Sequence, residues 1–334
     1  MDTPTPTARA AVLVARRIFP ETLARLRQHF DVDSNDADED WSQEELIRRL
    51  QGKAGVLLTG TQRVDAALLT ACPRLRIAAN MTVGYNNFDV AAMDAAGVVG
   101  TNTPDVLTET TADFGMALLL AAARRVTEAE RYLRAGQWTR WTVDLMAGAE
   151  VHGTTLGILG MGRIGQAIAR RGAHGFGMRV LYHNRRRLDA ATEQACRATY
   201  VDKATLLREA DHLMLVLPYT PENHHTIGAA ELALMKPTAV LVNLARGGIV
   251  DDAALAEALR QRRIAAAGLD VFEGEPHVHP GLLQVPNVVL TPHIASATLR
   301  TRRAMADLAA DNLIAYLTEG RVLTPVNRPP QPRA

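Results

Sequence analysis

The chain has 334 residues, and its 37 basic and 36 acidic side chains leave a formal net charge of +1, which gives no electrostatic case for nucleic acid or an anionic membrane as partner. No apolar run approaches the roughly 18 residues that a membrane-spanning helix needs, and the polar start of the chain lacks the apolar segment of a signal peptide. Cys72 and Cys196 match no metal or redox spacing, so we expect free thiols in a cytoplasmic protein.

Short apolar runs alternate with helical patterns in the first part of the chain, which predicts a parallel α/β sheet. Ser42, followed three residues later by Glu45, is typical of the capped start of a helix. The acidic stretch 31–40 is interpreted as a solvated loop. The predicted strands are 11–14, 55–58 and 76–79, and the predicted helices are 21–30 and 41–50.

A long helical pattern after Pro104 predicts one continuous helix over residues 106–134, which would join two domains. Residues 136–151 then have the composition of a loop and carry Trp138 and Trp141. Exposed aromatic side chains in a loop indicate a surface for a partner, and the alternative is that they fold back on their own domain.

The stretch 153–187 contains a predicted strand, the glycine pattern Gly160-Met161-Gly162-Arg163-Ile164-Gly165, a helix and a second strand. A G-x-G-x-x-G pattern in this context is the fingerprint of a dinucleotide-binding site. Gly160 permits the tight turn, Gly162 lets a pyrophosphate approach the backbone, and Gly165 lets helix and strand pack closely. The N-terminus of the helix supplies free N–H groups and a favourable dipole for the negative charge.

The end of the second strand favours one nicotinamide cofactor over the other. An NAD site places a carboxylate about 20 residues after the glycines, where it binds the ribose 2′-hydroxyl. Here the strand runs into Asn184-Arg185-Arg186-Arg187, which contains no carboxylate. Because guanidinium groups bind a 2′-phosphate well, we predict NADP(H) as the preferred cofactor, with NAD(H) as the alternative.

Strands and helices continue to alternate beyond the fingerprint, and a last helix over 296–317 returns the chain to the first domain. The predicted fold class is therefore α/β, with two Rossmann-like, doubly wound parallel-sheet domains of which the first is discontinuous. Residues 1–104 plus 297–334 form the substrate-binding domain, and residues 105–296 form the NADP(H)-binding domain. The proline-rich tail, 325–334, is expected to be extended or frayed.

Three side chains near predicted strand ends have the chemistry that reduction of a keto acid requires. Arg246 can bind a carboxylate through two hydrogen bonds, and the two glycines after it would leave room for the substrate. His293 suits a general acid that works near neutral pH. A carboxylate bonded to this histidine would fix its tautomer and favour its protonated form. Glu273 and Glu275 are both candidates for that carboxylate, and spacing does not separate them.

The remaining histidines predict no metal site. His277 and His279 are close in sequence, but no third ligand is in view. The pair His224-His225 is interpreted as a polar approach to a helix.

Several stretches of the sequence together match the motifs of one known family. They are VGYNN at 83–87, the fingerprint at 160–165, NLARGG at 243–248, AGLDVF at 267–272 with Glu275-Pro276, and PHI at 292–294. On these motifs the chain resembles the D-isomer-specific 2-hydroxyacid dehydrogenases over nearly its full length. Residues 108–110, 136–139 and 293–298 make it most similar, within that family, to the glyoxylate/hydroxypyruvate reductases, including the 2-ketogluconate reductase branch. Asn86 stands where the family often has Asp, and Ala295 stands where this branch usually has Gly.

The resemblance implies roles for individual residues. It selects Glu275 over Glu273, because the carboxylate of the family directly precedes the proline. It assigns binding of the substrate carboxylate to the backbone at Val83 and Gly84, and it places Asp270 near the nicotinamide or its ribose.

The resemblance also implies an assembly and an activity. The chain is expected to form a homodimer in which the loop around Trp138 packs on the neighbouring subunit and Trp141 reaches the partner's active site. The implied activity is NADPH-dependent reduction of small 2-oxo acids, such as glyoxylate, hydroxypyruvate and 2-ketogluconate, to D-2-hydroxy acids. Arg246 would hold the carboxylate, His293 would protonate the carbonyl oxygen and Glu275 would orient His293. The predicted cofactor contacts are Thr110, Gly160, Gly162, Arg163, Ile164, Gly165, Asn184, Arg185, Arg186, Leu217, Pro218, Ala245, Asp270 and Ser296.

Two alternatives stay open. One is another D-2-hydroxyacid dehydrogenase, of the D-lactate or phosphoglycerate type; a formate dehydrogenase is expected to have Gln where this chain has Pro292. The other is a non-enzymatic dinucleotide-sensing protein on the same fold, which would bind cofactor tightly and turn over no small 2-oxo acid.

Overall fold

The computed structural model describes residues 9–333 and divides into two compact units. One unit comprises Met1–Leu107 and Thr298–Ala334, and the other comprises Thr108–Ala297. The first unit is therefore discontinuous, with limits at 107 and 298 where the sequence predicted 104 and 297.

The first unit is built on a parallel five-stranded sheet. Leu13 packs into an apolar cluster on one face, and its neighbours Val12 and Val14 pack into a second cluster on the other face. Because both faces are buried, the strands consist of continuous apolar runs, which is why the sequence revealed most of them. The elements are β1 (Ala11–Val14), α1 (Pro20–His29), β2 (Asp31–Ser34), α2 (Gln43–Leu50), β3 (Gly55–Leu58), α3 (Ala66–Ala71), β4 (Ile77–Asn80), α4 (Val90–Ala95) and β5 (Val99–Thr101), and the strand order is β2-β1-β3-β4-β5.

The acidic stretch 31–40 is a loop only in its second part, because residues 35–40 are turn and loop whereas Asp31–Ser34 forms strand β2. It pairs in parallel with β1 at the edge of the sheet. An edge strand hydrogen-bonds on one side and leaves polar side chains in solvent, so its composition resembles that of a loop. The helix cap predicted nearby is confirmed, since the Glu45 backbone N–H donates to Ser42 Oγ at 3.2 Å.

The second unit is built on a parallel seven-stranded sheet with an apolar cluster on each face. Its elements are α5 (Thr108–Ala123), α6 (Val126–Arg134), β6 (Thr155–Leu159), α7 (Arg163–Gly175), β7 (Arg179–His183), α8 (Ala190–Cys196), β8 (Ala198–Tyr200), α9 (Lys203–Glu209), β9 (His212–Leu215), α10 (Ala229–Leu234), β10 (Val240–Asn243), α11 (Asp252–Arg260), β11 (Ala266–Leu269), α12 (Pro280–Gln284) and β12 (Val288–Leu290). The strand order is β12-β11-β10-β9-β6-β7-β8, so the order reverses between β6 and β9. In doubly wound sheets, ligands bind beyond the carboxyl ends of the strands at this reversal.

The prediction of a single helix over 106–134 is wrong, because the helix is interrupted between α5 and α6. Arg125 takes a left-handed conformation with φ of 53°. The Ala123 carbonyl, which would continue the helix, instead accepts a hydrogen bond from the Ala149 N–H at 2.8 Å. The segment that follows α6 therefore folds back and ends α5, a contact from distant sequence that helical periodicity does not reveal.

The last helix, α13 (Leu299–Glu319), returns to the first unit and packs Ala309, Ala310 and Leu313 against its sheet. The tail after it is held rather than frayed. The Val326 N–H donates to the Gly100 carbonyl at 2.8 Å, and the Arg333 guanidinium donates to the carbonyls of Leu69, Cys72 and Leu75. Of the two states expected for the tail, extended or frayed, fraying is therefore wrong as far as residue 333. Among residues 9–333, no helix combines the length and the apolar character that crossing a membrane requires.

Candidate active site

The glycine pattern forms the turn from β6 into α7, at the point where the strand order reverses. Gly160 has a φ of +101°, and a Cβ there would lie 2.7 Å from the Leu217 backbone nitrogen. A Cβ at Gly165 would lie 2.5 Å from the Gly160 carbonyl oxygen. These two glycines are therefore required by contacts within the protein itself.

Gly162 differs from its two neighbours in the pattern. It is the N-cap residue of α7, and a Cβ built on it would meet no protein atom within 4 Å. No contact of the fold requires a glycine here, whereas a pyrophosphate approaching the first-turn N–H groups of α7 would need the space. The geometry of the turn thus fits a dinucleotide phosphate.

Replacing Gly162 with alanine is expected to weaken cofactor binding by about tenfold or more, which is about 1.4 kcal/mol. The free energy of unfolding should fall by no more than about 1 kcal/mol, because the added methyl group meets no protein atom. Gly165→Ala is the matched control, and its overlap with the Gly160 carbonyl should cost roughly 1–3 kcal/mol of stability. Urea unfolding and fluorescence titration with NADPH check both variants. Unchanged cofactor affinity in Gly162→Ala would contradict this reading of the turn.

The residues after β7 separate into two groups. Asn184 Oδ1 accepts a hydrogen bond from the Met161 N–H at 2.6 Å and so fixes the glycine turn. Arg187 forms a two-pronged pair with Glu193, at 2.9 and 2.8 Å, and this pair together with the Tyr182 hydroxyl lowers the pKa of Glu193 to about 2. Arg185 and Arg186 are exposed, and neither takes part in a salt bridge with any residue the structure describes. They are the two guanidinium groups that remain available for an anion.

Arg246 lies directly after β10, where the strand end is fixed by a buried side chain. The Ala245 N–H donates to Asn243 Oδ1 at 3.0 Å, and Arg246 Nη1 donates to the Ala245 carbonyl at 2.8 Å. Burial lowers the pKa of the Arg246 guanidinium, and the negative charge of Glu275 opposes this effect. A half-buried guanidinium that stays charged is a strong site for a carboxylate.

The sequence suggested that both glycines after Arg246 leave room for the substrate, and the structure contradicts this for Gly247. A Cβ at Gly247 would lie 1.8 Å from the Phe272 carbonyl oxygen, so the turn after β11 already fills that space. The expectation that Gly247 leaves room for substrate is therefore wrong, since its small size serves the packing of two protein segments. Gly248 has a φ of +78°, which favours glycine for conformational reasons.

His293 and Glu275 form a close pair. His293 Nδ1 lies 2.7 Å from Glu275 Oε2, and the Phe272 N–H donates to Glu275 Oε1 at 2.9 Å. Burial by itself would raise the pKa of Glu275, but the His293 hydrogen bond, the Phe272 N–H and the charge of Arg246 together bring it below its ordinary value. Glu275 is therefore ionised at neutral pH and can orient His293. Its rival from the sequence, Glu273, does not contact His293 and instead pairs with His225 at 2.8 Å.

Asp270 holds the loop that carries His293. This carboxylate is 1% exposed, and it accepts hydrogen bonds from the Thr291 hydroxyl and from the N–H groups of Ile294 and Ala295 at 2.7–2.8 Å. The backbone N–H of His293 donates to the backbone carbonyl of Asp270 at 2.9 Å, and His293 itself has a φ of +51°. The carboxylate thus stabilises an uncommon backbone conformation. Asp270 was expected to contact the cofactor, which stays a prediction, and its positioning role was not visible in the sequence.

The other predicted cofactor residues of this unit lie near the carboxyl ends of its strands or at a helix start. Leu217 and Pro218 follow β9, Ala245 follows β10, and Ser296 is partly buried after the His293 loop. Thr110 is in the first turn of α5, and Arg163 and Ile164 begin α7. Their roles toward the cofactor stay predictions.

Comparison with known proteins identifies the arrangement. Residues 116–295 match the family described as D-isomer specific 2-hydroxyacid dehydrogenase, NAD binding domain. Glyoxylate reductase of Thermococcus onnurineus is 46% identical over 321 residues, which cover 95% of this chain and 96% of that protein. Glyoxylate reductase of Aeropyrum pernix is 48% identical over 320 residues, or 94% of each chain. The chain belongs to the D-isomer-specific 2-hydroxyacid dehydrogenase family.

A solved structure extends this similarity to the fold. The NADPH-dependent glyoxylate/hydroxypyruvate reductase of Sinorhizobium meliloti, in complex with NADP and malonate, is 38% identical and superposes with a TM-score of 0.87, covering 98% of this chain and 99% of that chain. The predicted family and fold class are confirmed. As a D-2-hydroxyacid dehydrogenase, the protein is an oxidoreductase that uses a nicotinamide dinucleotide, and the Gly160–Gly165 turn is the place in its own structure that fits one.

The first unit of this dehydrogenase contains the predicted substrate contacts Val83 and Gly84. Asn102 Nδ2 donates to the Val83 carbonyl at 2.7 Å, and Asn80 Nδ2 donates to the Gly84 carbonyl at 3.1 Å. Both carbonyls are thus held by buried or half-buried amide side chains. Their binding of substrate stays a prediction, which concerns the backbone N–H groups of the same loop.

The segment after α6 of this dehydrogenase exposes large apolar side chains. Trp141 is 74% exposed, Val143 is 88% exposed and Trp138 is 54% exposed. Such a grouping on one loop is unusual for a surface that stays in water.

Proposed function

We propose that the protein reduces small 2-oxo acids, with glyoxylate and hydroxypyruvate as substrates and 2-ketogluconate as a larger one, and that it prefers NADPH. The observation that carries this proposal is the geometry of Arg246, Glu275 and His293 beyond the strands of the dinucleotide-binding unit. Full-length relatives named glyoxylate reductase support it.

His293 acts as the general acid in this proposal. Its Nδ1 is engaged by the ionised Glu275 at 2.7 Å, which fixes the ring so that Nε2 is directed away from that pair. When bound, the reduced nicotinamide supplies the hydride for the carbonyl carbon. His293 Nε2 donates its proton to the carbonyl oxygen as negative charge develops there, and Glu275 stabilises the protonated imidazole until it does so.

Arg246 binds the substrate carboxylate. A keto acid presents its carboxylate and carbonyl oxygens close together, and a guanidinium can donate to both. Because Arg246 is half-buried, this interaction is little screened by solvent. The backbone N–H groups of Val83 and Gly84 are proposed as further donors to the carboxylate. The carbonyls of the same two residues already accept hydrogen bonds from asparagine side chains.

Substrate choice separates this proposal from other enzymes of the family. We expect kcat/KM for glyoxylate and hydroxypyruvate to exceed that for pyruvate and for 3-phosphohydroxypyruvate by at least about tenfold. Steady-state assays of NADPH oxidation with all four acids test this expectation. A preference for pyruvate would instead assign a D-lactate dehydrogenase, and a preference for the phosphorylated acid would assign a phosphoglycerate enzyme.

The NADPH preference is proposed to depend on Arg185 and Arg186. Replacing both with alanine should lower kcat/KM for NADPH by about 10- to 100-fold, because a charged hydrogen bond contributes about 1.5–3 kcal/mol. The value for NADH should change little, since NADH lacks the 2′-phosphate. Arg187→Ala is the matched control, because that side chain is already paired with Glu193. An equal loss for NADPH and NADH in the double variant would contradict the assignment.

We further propose a homodimer in which the segment around Trp141 contacts the neighbouring subunit. The exposed Trp138, Trp141 and Val143 supply the apolar surface that such a contact needs. Sedimentation velocity should show a dimer for the native chain and a shift toward monomer for the Trp141→Ala variant. A monomeric native protein would refute this part of the proposal.

A further inference from the structure

A cluster of imidazole and carboxylate groups lies on the second unit, separate from the His293–Glu275 pair. His224 and His225 follow the short turn Pro221–Asn223, and Glu273 lies in the turn after β11. One ligand atom from each of the three side chains lies within 4.8 Å of the other two. We propose that these residues form a binding site for a divalent first-row transition metal ion such as Zn²⁺.

The two imidazoles face the same carboxylate. His225 Nε2 lies 2.8 Å from Glu273 Oε2, and His224 Nε2 lies 3.7 Å from Glu273 Oε1. The rings stack with their centroids 3.8 Å apart and their planes 23° from parallel. Because each bond to Zn²⁺ is about 2.0–2.2 Å long, ligand atoms of one ion lie at most roughly 4 Å apart. The ligand atoms, which lie within 4.8 Å of one another, would have to move closer together by rotation of the side chains to bind one ion.

Each histidine has an oxygen near the ring nitrogen that would face away from the metal, and at His224 this oxygen is within hydrogen-bond distance. His224 Nδ1 lies 3.2 Å from the Tyr219 hydroxyl, and His225 Nδ1 lies 4.0 Å from Asp251 Oδ2. A metal-bound histidine usually directs its second ring nitrogen to such an oxygen, which fixes the tautomer and increases the basicity of the ligand nitrogen. The Tyr219 hydroxyl therefore favours Nε2 as the ligand atom of His224, and the 2.8 Å approach of His225 Nε2 to Glu273 favours the same atom of His225.

The backbone places the ligands in advance. His225 has a φ of +50°, and its N–H donates to the Gly248 carbonyl at 2.7 Å. A Cβ at Gly248 would lie 3.1 Å from His224 Nδ1, so glycine leaves the space that this ring occupies. The Glu273 N–H donates to Asp252 Oδ2 at 3.2 Å. A conformation that is uncommon for histidine is thus held by contacts that present both imidazoles to Glu273.

The donor set and its exposure decide the class of ion. Two imidazole nitrogens and one carboxylate oxygen suit Zn²⁺, Co²⁺ or Ni²⁺ better than Mg²⁺ or Ca²⁺, which prefer oxygen ligands. His224 and Glu273 are exposed and His225 is half-buried, so an ion can enter and keep water as a fourth ligand. The sequence predicted no metal site, because Glu273 lies 48 residues from His225.

Metal titration of the full chain without a polyhistidine tag tests the proposal. Co²⁺ is the probe, since its visible absorption bands report a four-coordinate site, and Zn²⁺ should displace it. One ion per chain is expected, and Zn²⁺ should raise the melting temperature of the native protein. Glu273→Gln and His225→Ala should each weaken binding by about 10- to 100-fold, at least as much as the loss of an outer-shell partner.

His277→Ala is the matched control, because it removes an exposed histidine four residues from Glu273 and should leave binding unchanged. Circular dichroism of each variant verifies that it folds. Co²⁺ binding that is equal in the native and Glu273→Gln proteins would overturn the assignment, and so would the lack of visible bands in the native protein. The readout is metal binding itself, so it does not depend on the proposed reductase activity.

Discussion

Replacing His293 with alanine is expected to lower kcat by about 10²- to 10⁴-fold, the range typical for loss of a general acid. KM for the 2-oxo acid should change much less, because in our account Arg246 rather than His293 holds the carboxylate. We assign His293 as the proton donor because its Nδ1 lies 2.7 Å from Glu275 Oε2, which orients the ring. Steady-state kinetics with saturating NADPH separate the two parameters.

His277→Ala controls for the loss of an exposed histidine from the same region and should keep native kcat. Cofactor affinity of the His293→Ala protein, measured by fluorescence titration, should also remain near the native value. A His293→Ala enzyme with kcat within a few-fold of native would remove His293 as the acid. A large fall in cofactor affinity would instead assign it to the nucleotide site.

Replacing Arg246 with alanine is expected to lower kcat/KM for the 2-oxo acid by about 10²- to 10³-fold. The interaction that we propose is lost is a charge pair with the substrate carboxylate in a half-buried position, and losing one partner of such a pair costs about 2–5 kcal/mol. The fold should persist, since among residues 9–333 this guanidinium donates a hydrogen bond only to the neighbouring Ala245 carbonyl. Initial rates over a range of substrate concentrations give the value.

Arg246→Lys is the informative companion variant. It keeps the positive charge but lacks the planar fork that binds two oxygens, so it should recover part of kcat/KM and not all of it. Full recovery would show that charge alone matters. If Arg246→Ala changed stability and left kcat/KM for substrate unaltered, the residue would have a structural role only.

The strands and the glycine turn could be predicted from the sequence because their causes are local. Gly165 is required by a contact with the Gly160 carbonyl in the same turn, and the buried parallel strands appear as apolar runs. Arg246 and His293 follow strands, and the carboxyl ends of parallel strands lie at one edge of a sheet. Sequence order alone therefore placed them on the same side of the second unit.

Other features depend on partners that are distant in sequence. The end of α5 is fixed by a hydrogen bond from Ala149, and the loop of His293 is held by Asp270. Glu273, in the turn after β11, pairs with the distant His225. The polar edge strand β2 is held by backbone hydrogen bonds to β1, which leave no trace in side-chain periodicity. Residue spacing could not separate Glu273 from Glu275, whereas the geometry separates them by their different histidine partners.

The most direct test of the account is the initial rate of NADPH oxidation and of NADH oxidation with glyoxylate, measured side by side on the native protein. We expect turnover with both cofactors and a kcat/KM at least about tenfold higher with NADPH, one charged contact to the 2′-phosphate being worth that much. A preference for NADH would contradict the role given to Arg185 and Arg186. No oxidation of either cofactor by glyoxylate or hydroxypyruvate would contradict the reductase assignment itself.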